Sequence, residues 1–511
     1  MISEATRALI RRRLDDEVGR IDKHARRVVA LAYPSPYRVA MSSLGYQCVY
    51  RAIQELPGVA CERAFLPDGA EKPGVRRIEV PVTYEGMRPL GELPLLLFSV
   101  AYETELVGLI RMLEASGIDA LAAARDARAP LVVAGGPLTF SNPLPLAPFV
   151  DAIVMGEGEE LVAPVLAAAL DASSREAALD ALAALPHVFV PQRHGGRLPS
   201  IAACDDALLP AWAPIRTPHT ELSNMFLIET ERGCSRGCSY CVMRRTTNGG
   251  MRVVPKEVIL DRIPKDAAKV GLVGAAVSDH PRITEIVRAL AERGSQVGLS
   301  SLRPDRLKDE FVEALRLAGY RTLTTALDGA SERLREGIER RGREPHYVAA
   351  AERARKHGMD RMKLYLMIGL PDEHDADIDE CVRFVGELSR IVPVALGISP
   401  FCAKRNTPLD RTAWAGVQVV DDRLERLRRG LQGRADVRAT SARWAWVEYV
   451  LAQGGEPEGR ALYEATKAGG RFADFKNAFA ALGHAPSGAG TGTPAPPPRD
   501  VKPGRRLAVA S

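Results

Sequence analysis

Glu231-Arg232-Gly233-Cys234-Ser235-Arg236-Gly237-Cys238-Ser239-Tyr240-Cys241 places three thiols within eight residues, just after an apolar run, Phe226-Leu227-Ile228, that reads as a strand. That spacing lets three thiolates reach one compact inorganic core, and thiolates are the usual ligands of iron–sulfur centres. Gly233 and Gly237 allow the loop to bend closely around such a core. A [4Fe–4S] cluster ordinarily takes four cysteines, and no fourth lies nearby in the chain. One iron is therefore expected to keep an open position, which is a position for chemistry. The other readings are structural zinc, with Cys204, His219 or Cys402 folding back as a fourth ligand, and three thiols without a ligand.

Outward from the loop the pattern alternates between strands and helices. Strands are expected at 226–230, 270–274, 296–300, 321–327, 362–368 and 394–398, with helices between them. Six βα units predict an open or partial barrel with its site at the carboxyl ends of the strands. Upstream, apolar runs at 28–32, 95–100, 130–134 and 151–155 alternate with helical segments near 43–55 and 103–116. Apolar strands separated by helices imply a parallel sheet covered on both faces. The expected fold is therefore α/β. A doubly wound, flavodoxin- or Rossmann-like domain spans 28–172, with its ligand crevice at the strand carboxyl ends, and the partial (βα)6 barrel follows.

The remaining divisions are an amphipathic helix over 1–27 carrying Ile10, Leu14, Val18 and Ile21, and a connector over 173–220. The barrel core takes 221–410 and a helical region 411–484. A Pro/Gly-rich tail over 485–511 has a composition that cannot bury enough apolar surface to order itself.

With 511 residues, 46% hydrophobic and 26% charged, the chain has material for two or three cores. A formal charge of +5 with no basic stripe makes nucleic acid an unexpected partner. No apolar run reaches the ~18 residues of a membrane span, and no secretory leader is visible, so the expected location is the cytoplasm. Eight cysteines in this length are not a disulfide framework. Cys48, Cys61 and Cys381 are expected to be small buried hydrophobes.

The Cys-x3-Cys-x2-Cys spacing, with Tyr240 before the last cysteine, resembles the motif of the radical S-adenosylmethionine (radical SAM) superfamily. Three further stretches resemble segments of its cobalamin-domain subgroup: Ser301-Leu302-Arg303-Pro304-Asp305, Ala326-Leu327-Asp328-Gly329-Ala330-Ser331, and Lys363-Leu364-Tyr365-Leu366-Met367-Ile368-Gly369-Leu370-Pro371. So does Ser399-Pro400-Phe401 through Thr407-Pro408. Asp328 stands where Glu is usual. The resemblance implies a [4Fe–4S] cluster on Cys234, Cys238 and Cys241 whose open iron chelates S-adenosylmethionine. One electron from a flavodoxin or ferredoxin then cleaves the sulfonium to a 5′-deoxyadenosyl radical. It also implies cofactor contacts at Tyr240, Ser278, Asp279, Ser301, Arg303, Asp328, Ser331, Gly369 and Pro371. Asp279 would accept from the ligand's ammonium group and Asp328 from ribose hydroxyls. A helix cap is the plainer reading of Asp279 and Ser331.

The N-terminal domain resembles the cobalamin-binding modules joined to such cores, which implies corrin contacts at Ser99, Gly135, Gly136 and Glu157. Bare glycine backbone would admit a flat macrocycle. No Asp-x-His-x-x-Gly segment supplies a cobalt ligand, so a domain that keeps the sheet without the corrin is the alternative. The implied reaction is cobalamin-dependent methylation of carbon on a substrate the sequence does not identify, a small molecule or another, with the Gly135 and Cys234 loops bordering one cavity. The alternatives are a cobalamin-independent rearrangement, cyclisation or sulfur insertion, extending to tRNA, and a non-catalytic sensor. No small C-terminal RNA-binding β-domain is visible.

Overall fold

The computed structural model describes residues 2–245 and 250–490. It comprises two compact units, one of residues 2–226 and 454–484, the other of residues 227–453 and 485–490. The first unit is built on a six-stranded sheet: β1 (Arg27–Tyr33), β2 (Val59–Phe65), β3 (Leu95–Ser99), β4 (Leu131–Gly135), β5 (Ala152–Val154) and β6 (Val188–Phe189), in the order β2-β1-β3-β4-β5-β6. The first five run parallel, and β6 pairs antiparallel with β5. The strand order reverses between β1 and β3, the position where doubly wound sheets open a ligand crevice. Val29, Ala30, Leu31 and Ala32 are buried, because helices cover both faces of a sheet of this kind.

The first helix is Glu4–Asp15 and stops well short of residue 27. Val18, expected on its apolar face, is exposed and pairs antiparallel with Arg216. Glu17 turns inward instead, and its carboxylate takes both terminal nitrogens of the fully buried Arg63 at 2.7 and 2.8 Å. A buried guanidinium is tolerated only with such partners, and this pairing decides where the helix ends. Two late helices, Glu456–Ala468 and Phe472–Ala480, also belong to this unit. Tyr463 packs its ring on Phe149, with centroids 6.4 Å apart, and the Asn142 amide donates to the Gly454 carbonyl at 2.8 Å.

The second unit contains β7 (Met225–Glu229), β8 (Glu231–Gly233), β9 (Met251–Val253), β10 (Lys269–Val273), β11 (Gln296–Leu299), β12 (Thr322–Asp328), β13 (Arg361–Ile368), β14 (Val394–Pro400) and β15 (Ala435–Ala439). β8 and β9 form a separate antiparallel pair. The rest form two sheets, β11-β10-β7 and β12-β13-β14-β15, joined where Leu302 bridges Thr325 in parallel. Spatial order follows chain order with helices between, as a partial barrel requires. All six expected strands are present.

β15 lies within the region expected to be wholly helical. It pairs parallel with β14, and its exposed Asp436 and Arg438 erase the apolar run that would have marked it. That region also divides between the units: Val417–Gly430 and Ala442–Gln453 stay with the barrel, whereas Glu456–Ala468 and Phe472–Ala480 do not.

The tail departs from expectation at its start. Pro486 carbonyl oxygen accepts from Val417 N at 2.9 Å and Trp414 Nε1 at 3.2 Å, and Ala489 N donates to Trp414 at 2.9 Å. Backbone acceptors order 485–490 without apolar burial; 491–511 lie outside the described residues. Truncation after His484 removes three hydrogen bonds of about 1 kcal/mol each, and is expected to lower Tm by about 5 °C. Removal of 491–511 alone is expected to leave Tm unchanged, since its composition offers few packed contacts. Calorimetry of the two truncations checks this, and equal Tm values for both would contradict it.

Candidate active site

The cysteine loop starts from the β7–β8 strand end and is fastened on several sides. Ser239 N donates to Ile338 O at 3.1 Å, Leu409 N donates to Ser239 O at 3.2 Å, and the Tyr240 hydroxyl donates to Asp328 Oδ2 at 2.7 Å. Cys238 is buried, while Cys234 and Cys241 are partly exposed. Burial pushes the Cys241 thiol up to about 11 and raises Cys234 as well. A metal-bound thiol must lose its proton, so this loop favours thiolate only with a cation present. Three cysteines on one pinned loop suit a cluster, and the candidates for a fourth zinc ligand are engaged elsewhere. Cys204 Sγ lies within 4.8 Å of the Glu157 and Glu159 carboxylates, His219 pairs with Asp16 at 2.7 Å, and the Cys402 thiol faces the Ala445 carbonyl.

Asp328 ends β12 with φ +64°, at a register shift against β13. A left-handed residue other than glycine costs of order 1 kcal/mol and persists only where its surroundings hold it. Here Arg340 Nε, 2.7 Å away, and the Tyr240 hydroxyl hold the carboxylate. Burial works against the Arg340 charge, but Asp328 and Tyr240 outweigh it and raise its affinity for the proton.

A second carboxylate, Asp279, closes the turn after β10. Its Oδ2 accepts from Ser235 Oγ of the cysteine loop at 3.1 Å and from the Arg303 guanidinium. Arg306 Nε lies 3.8 Å from Oδ1, too far for a hydrogen bond, and Oδ1 is buried without a hydrogen-bond partner among the described residues. Burial raises the Asp279 carboxyl above the ordinary range. Ser278 Oγ accepts from Arg303 N at 3.0 Å, and Asp305 bridges Arg303 to Arg236, 2.9 Å away. The structure thus brings Ser278, Asp279 and Arg303 to the cysteine loop, and Tyr240 to Asp328.

The other expected residues have different surroundings. Ser331 caps the helix Glu332–Gly337, accepting from Leu334 N at 3.2 Å and donating to Asp377 at 2.5 Å. Gly369 N donates to Glu373, which is itself held by Arg423 at 2.7 Å, and Pro371 follows that turn. Ser301 stands partly exposed after β11. Glu231 escaped the sequence reading. It is fully buried, accepts from Ala276 N at 2.8 Å and from the Thr230 hydroxyl, and burial pushes it up to about 7. In the sequence it is one acid in the alternating Glu229-Thr230-Glu231-Arg232 and carries no mark of burial.

In the first unit, Ser99 and Gly135 end β3 and β4. The close approach that Gly136 permits, at φ +108°, is to protein: a Cβ there would lie 2.7 Å from Val100 O. Glu157 Oε2 accepts from Cys204 N at 2.9 Å and so fastens the 156–157 turn to the connector. The crevice at the β1–β3 reversal holds a group not singled out from the sequence, the buried Glu105. It accepts from Ala101 N at 2.7 Å and from Ser35 Oγ at 3.1 Å. Its position in the first turn of a helix read as an ordinary favourable acid.

Residues 45–191 match the family model described as radical SAM proteins, N-terminal, and residues 228–385 match the radical SAM superfamily model. An uncharacterised protein of Methanocaldococcus jannaschii is 29% identical over 294 residues, covering 55% of this chain and 61% of that protein. An uncharacterised methyltransferase of Pyrococcus horikoshii is 23% identical over 275 residues, covering 50% and 58%. The chain therefore spans about three fifths of the length of these relatives. Among solved structures, the radical S-adenosylmethionine methyltransferase TsrM of Kitasatospora setae is similar in fold, with TM-score 0.51 and 14% identity over 78% of this chain and 75% of that one.

Burial pushes Glu105 up to about 7, against the hydrogen bonds it accepts. The folded state then keeps a proton that the unfolded chain gives up near pH 4.3. Its contribution to stability is accordingly lost as pH rises through the window from about 4.5 to 7, and levels off above. At 1.36 kcal/mol per unit this is about 3 kcal/mol. Glu105→Gln should remove that dependence, so that parent stability falls relative to the variant between about pH 4.5 and 7 in denaturant titrations. A difference independent of pH would contradict the assignment.

Proposed function

The chain belongs to the radical SAM superfamily, and on that premise we propose that it is an enzyme of that chemistry that methylates carbon on its substrate, with cobalamin held by the N-terminal unit. Cys234, Cys238 and Cys241 would hold the [4Fe–4S] cluster. Bound there, the cluster supplies the electron that opens the sulfonium of S-adenosylmethionine. The observation that carries the S-adenosylmethionine site is Asp279: a buried carboxylate next to the cysteine loop with one oxygen lacking a hydrogen-bond donor among the described residues. An unmade hydrogen bond at a buried acceptor costs about 1–3 kcal/mol, and the ammonium group of an amino-acid moiety would satisfy it.

This chain's residues then have distinct tasks. Asp279 Oδ1 accepts from the ligand's amino group, while Arg303 and Ser235 occupy Oδ2 and fix the carboxylate's orientation. Tyr240, Asp328 and Arg340 hold the cysteine loop against the end of β12. Ser278 anchors the Arg303 backbone. Glu373 and Arg423 fix the Gly369 turn from beneath. Ser331 supports the β12–β13 connection through its cap.

A second reading, radical chemistry without cobalamin, is favoured by one specific observation. Gly136 and Glu157, the expected corrin contacts, make their close contacts within the N-terminal unit. The optical spectrum of anaerobically purified protein, with hydroxocobalamin titration, separates the two. Saturable stoichiometric binding supports the first, and absence of binding leaves the second.

Anaerobic reconstitution should give about four iron and four sulfide per chain, with reductive release of 5′-deoxyadenosine. Replacement of all three cluster cysteines by Ala should abolish both. Asp279→Ala should raise KM for S-adenosylmethionine about tenfold or more with iron content intact, as loss of a charged hydrogen bond of 1.5–3 kcal/mol predicts. Unchanged KM would remove Asp279 from the ligand contacts.

A further inference from the structure

In the first unit, Arg111 lies in the helix Leu106–Ala115 and is 7% exposed. Its Nη1 donates to the carbonyls of Ala70 and Lys72, the latter at 3.2 Å. Its Nε and Nη2 are buried with no hydrogen-bond partner among the described residues, and no salt-bridge partner is found for it there. Glu71, the nearby acid, pairs with Arg38 at 3.2 Å. Burial accordingly weakens the Arg111 charge, with Glu71 a lesser opposing influence. A buried guanidinium with open donors is costly unless something negative meets it.

The open nitrogen faces a turn between two helices. A Cβ on Gly470, at φ +67°, would lie 2.7 Å from Arg111 Nη2. Gly469 and Gly470 form that turn, and the nine-residue helix Phe472–Ala480 begins directly after it. Two more guanidinium groups border the same place. Arg76 Nη2 donates to Ala468 O at 3.1 Å, and Arg471 Nε would lie 3.3 Å from a Cβ on Gly74. Asp474 is the acid present, and its carboxylate is taken by Arg471 N at 2.9 Å.

We propose that the Gly469–Gly470 turn is a phosphate-binding site, in which Arg111 Nε and Nη2 meet phosphoryl oxygens while Arg76 and Arg471 complete the charge and the helix N-terminus points at the anion. Helix N-termini favour phosphate through their dipole, and arginine matches its oxygens geometrically. The bare backbone of Gly470 lets the Arg111 guanidinium reach the turn, where a side chain would strike its Nη2. The site takes inorganic phosphate or the phosphoryl group of a small metabolite. It stands independently of the reaction assigned to the cysteine loop.

The test uses the full chain in thermal unfolding and calorimetric titration with inorganic phosphate, pyrophosphate and a nucleoside monophosphate, against chloride at matched ionic strength. Phosphate is expected to raise Tm saturably. Tighter binding of the monophosphate would identify an organic source, and equal binding inorganic phosphate; both support the site. Arg111→Met should fold at least as stably without phosphate, because it removes an uncompensated buried charge, and should weaken phosphate binding about tenfold or more. Exposed Arg471→Gln, which leaves the core intact, should weaken it less. If Arg111→Met lowers stability in chloride and keeps the phosphate response, Arg111 is only a brace for the 70–72 carbonyls and the site is refuted. Phosphate no better than chloride, or retention of RNA without any response to phosphate, refutes it equally.

Discussion

The Tyr240–Asp328 hydrogen bond is the constraint on which the cysteine face depends. A loop carrying three cysteines is short on side chains that can pack, so its shape has to be imposed from outside. The imposition comes from a carboxylate at the end of β12, held in a left-handed conformation and shared with Arg340. The strain at Asp328 is the cost of aiming its carboxylate at the loop rather than along the strand. Asp where the family resemblance leads one to expect Glu fits this use. A shorter side chain suits a backbone already displaced by a register shift.

Much of this architecture is written in local pattern. The six barrel strands are apolar runs long enough to stand out, and β13 shows why: Met362, Leu364, Leu366 and Ile368 alternate inward while Arg361 and Tyr365 face out. β15 does not stand out, because pairing with β14 holds a strand whose own side chains are charged. The end of the first helix was equally hidden. It is set by Arg63, forty-six residues further on, drawing in Glu17. The site divides in the same way. Cysteine spacing is a local signal, so the three thiols could be read directly. Asp279 and Arg303 could be read from their place at strand ends, although not their mutual pairing. Glu231, Glu105 and Arg340 act through burial and long-range contact, and no periodicity marks those.

The glycines of the first unit teach a narrower lesson. Gly136 is expected to make room for a macrocycle, yet the atom that a Cβ there would strike is the Val100 carbonyl oxygen. A strand-end glycine at a sheet crevice serves packing between neighbouring connections as readily as it serves a ligand. Composition alone does not distinguish the two, whereas the position of the atom that a Cβ would strike does.

The chain passes from the first unit to the second, returns to the first at Gly454, and leaves it again after His484. During synthesis the sheet β1–β6 therefore emerges long before the helices that cover Phe149 and the segment around Pro145. The covering residues follow about 230 positions later, a wait of roughly 10 to 50 s at 5–20 residues per second. Throughout that interval the nascent first unit carries an uncovered apolar face while the second folds behind it. A ribosome pausing within the barrel prolongs this exposure, which makes the order of translation itself a determinant of how much protein reaches the native state.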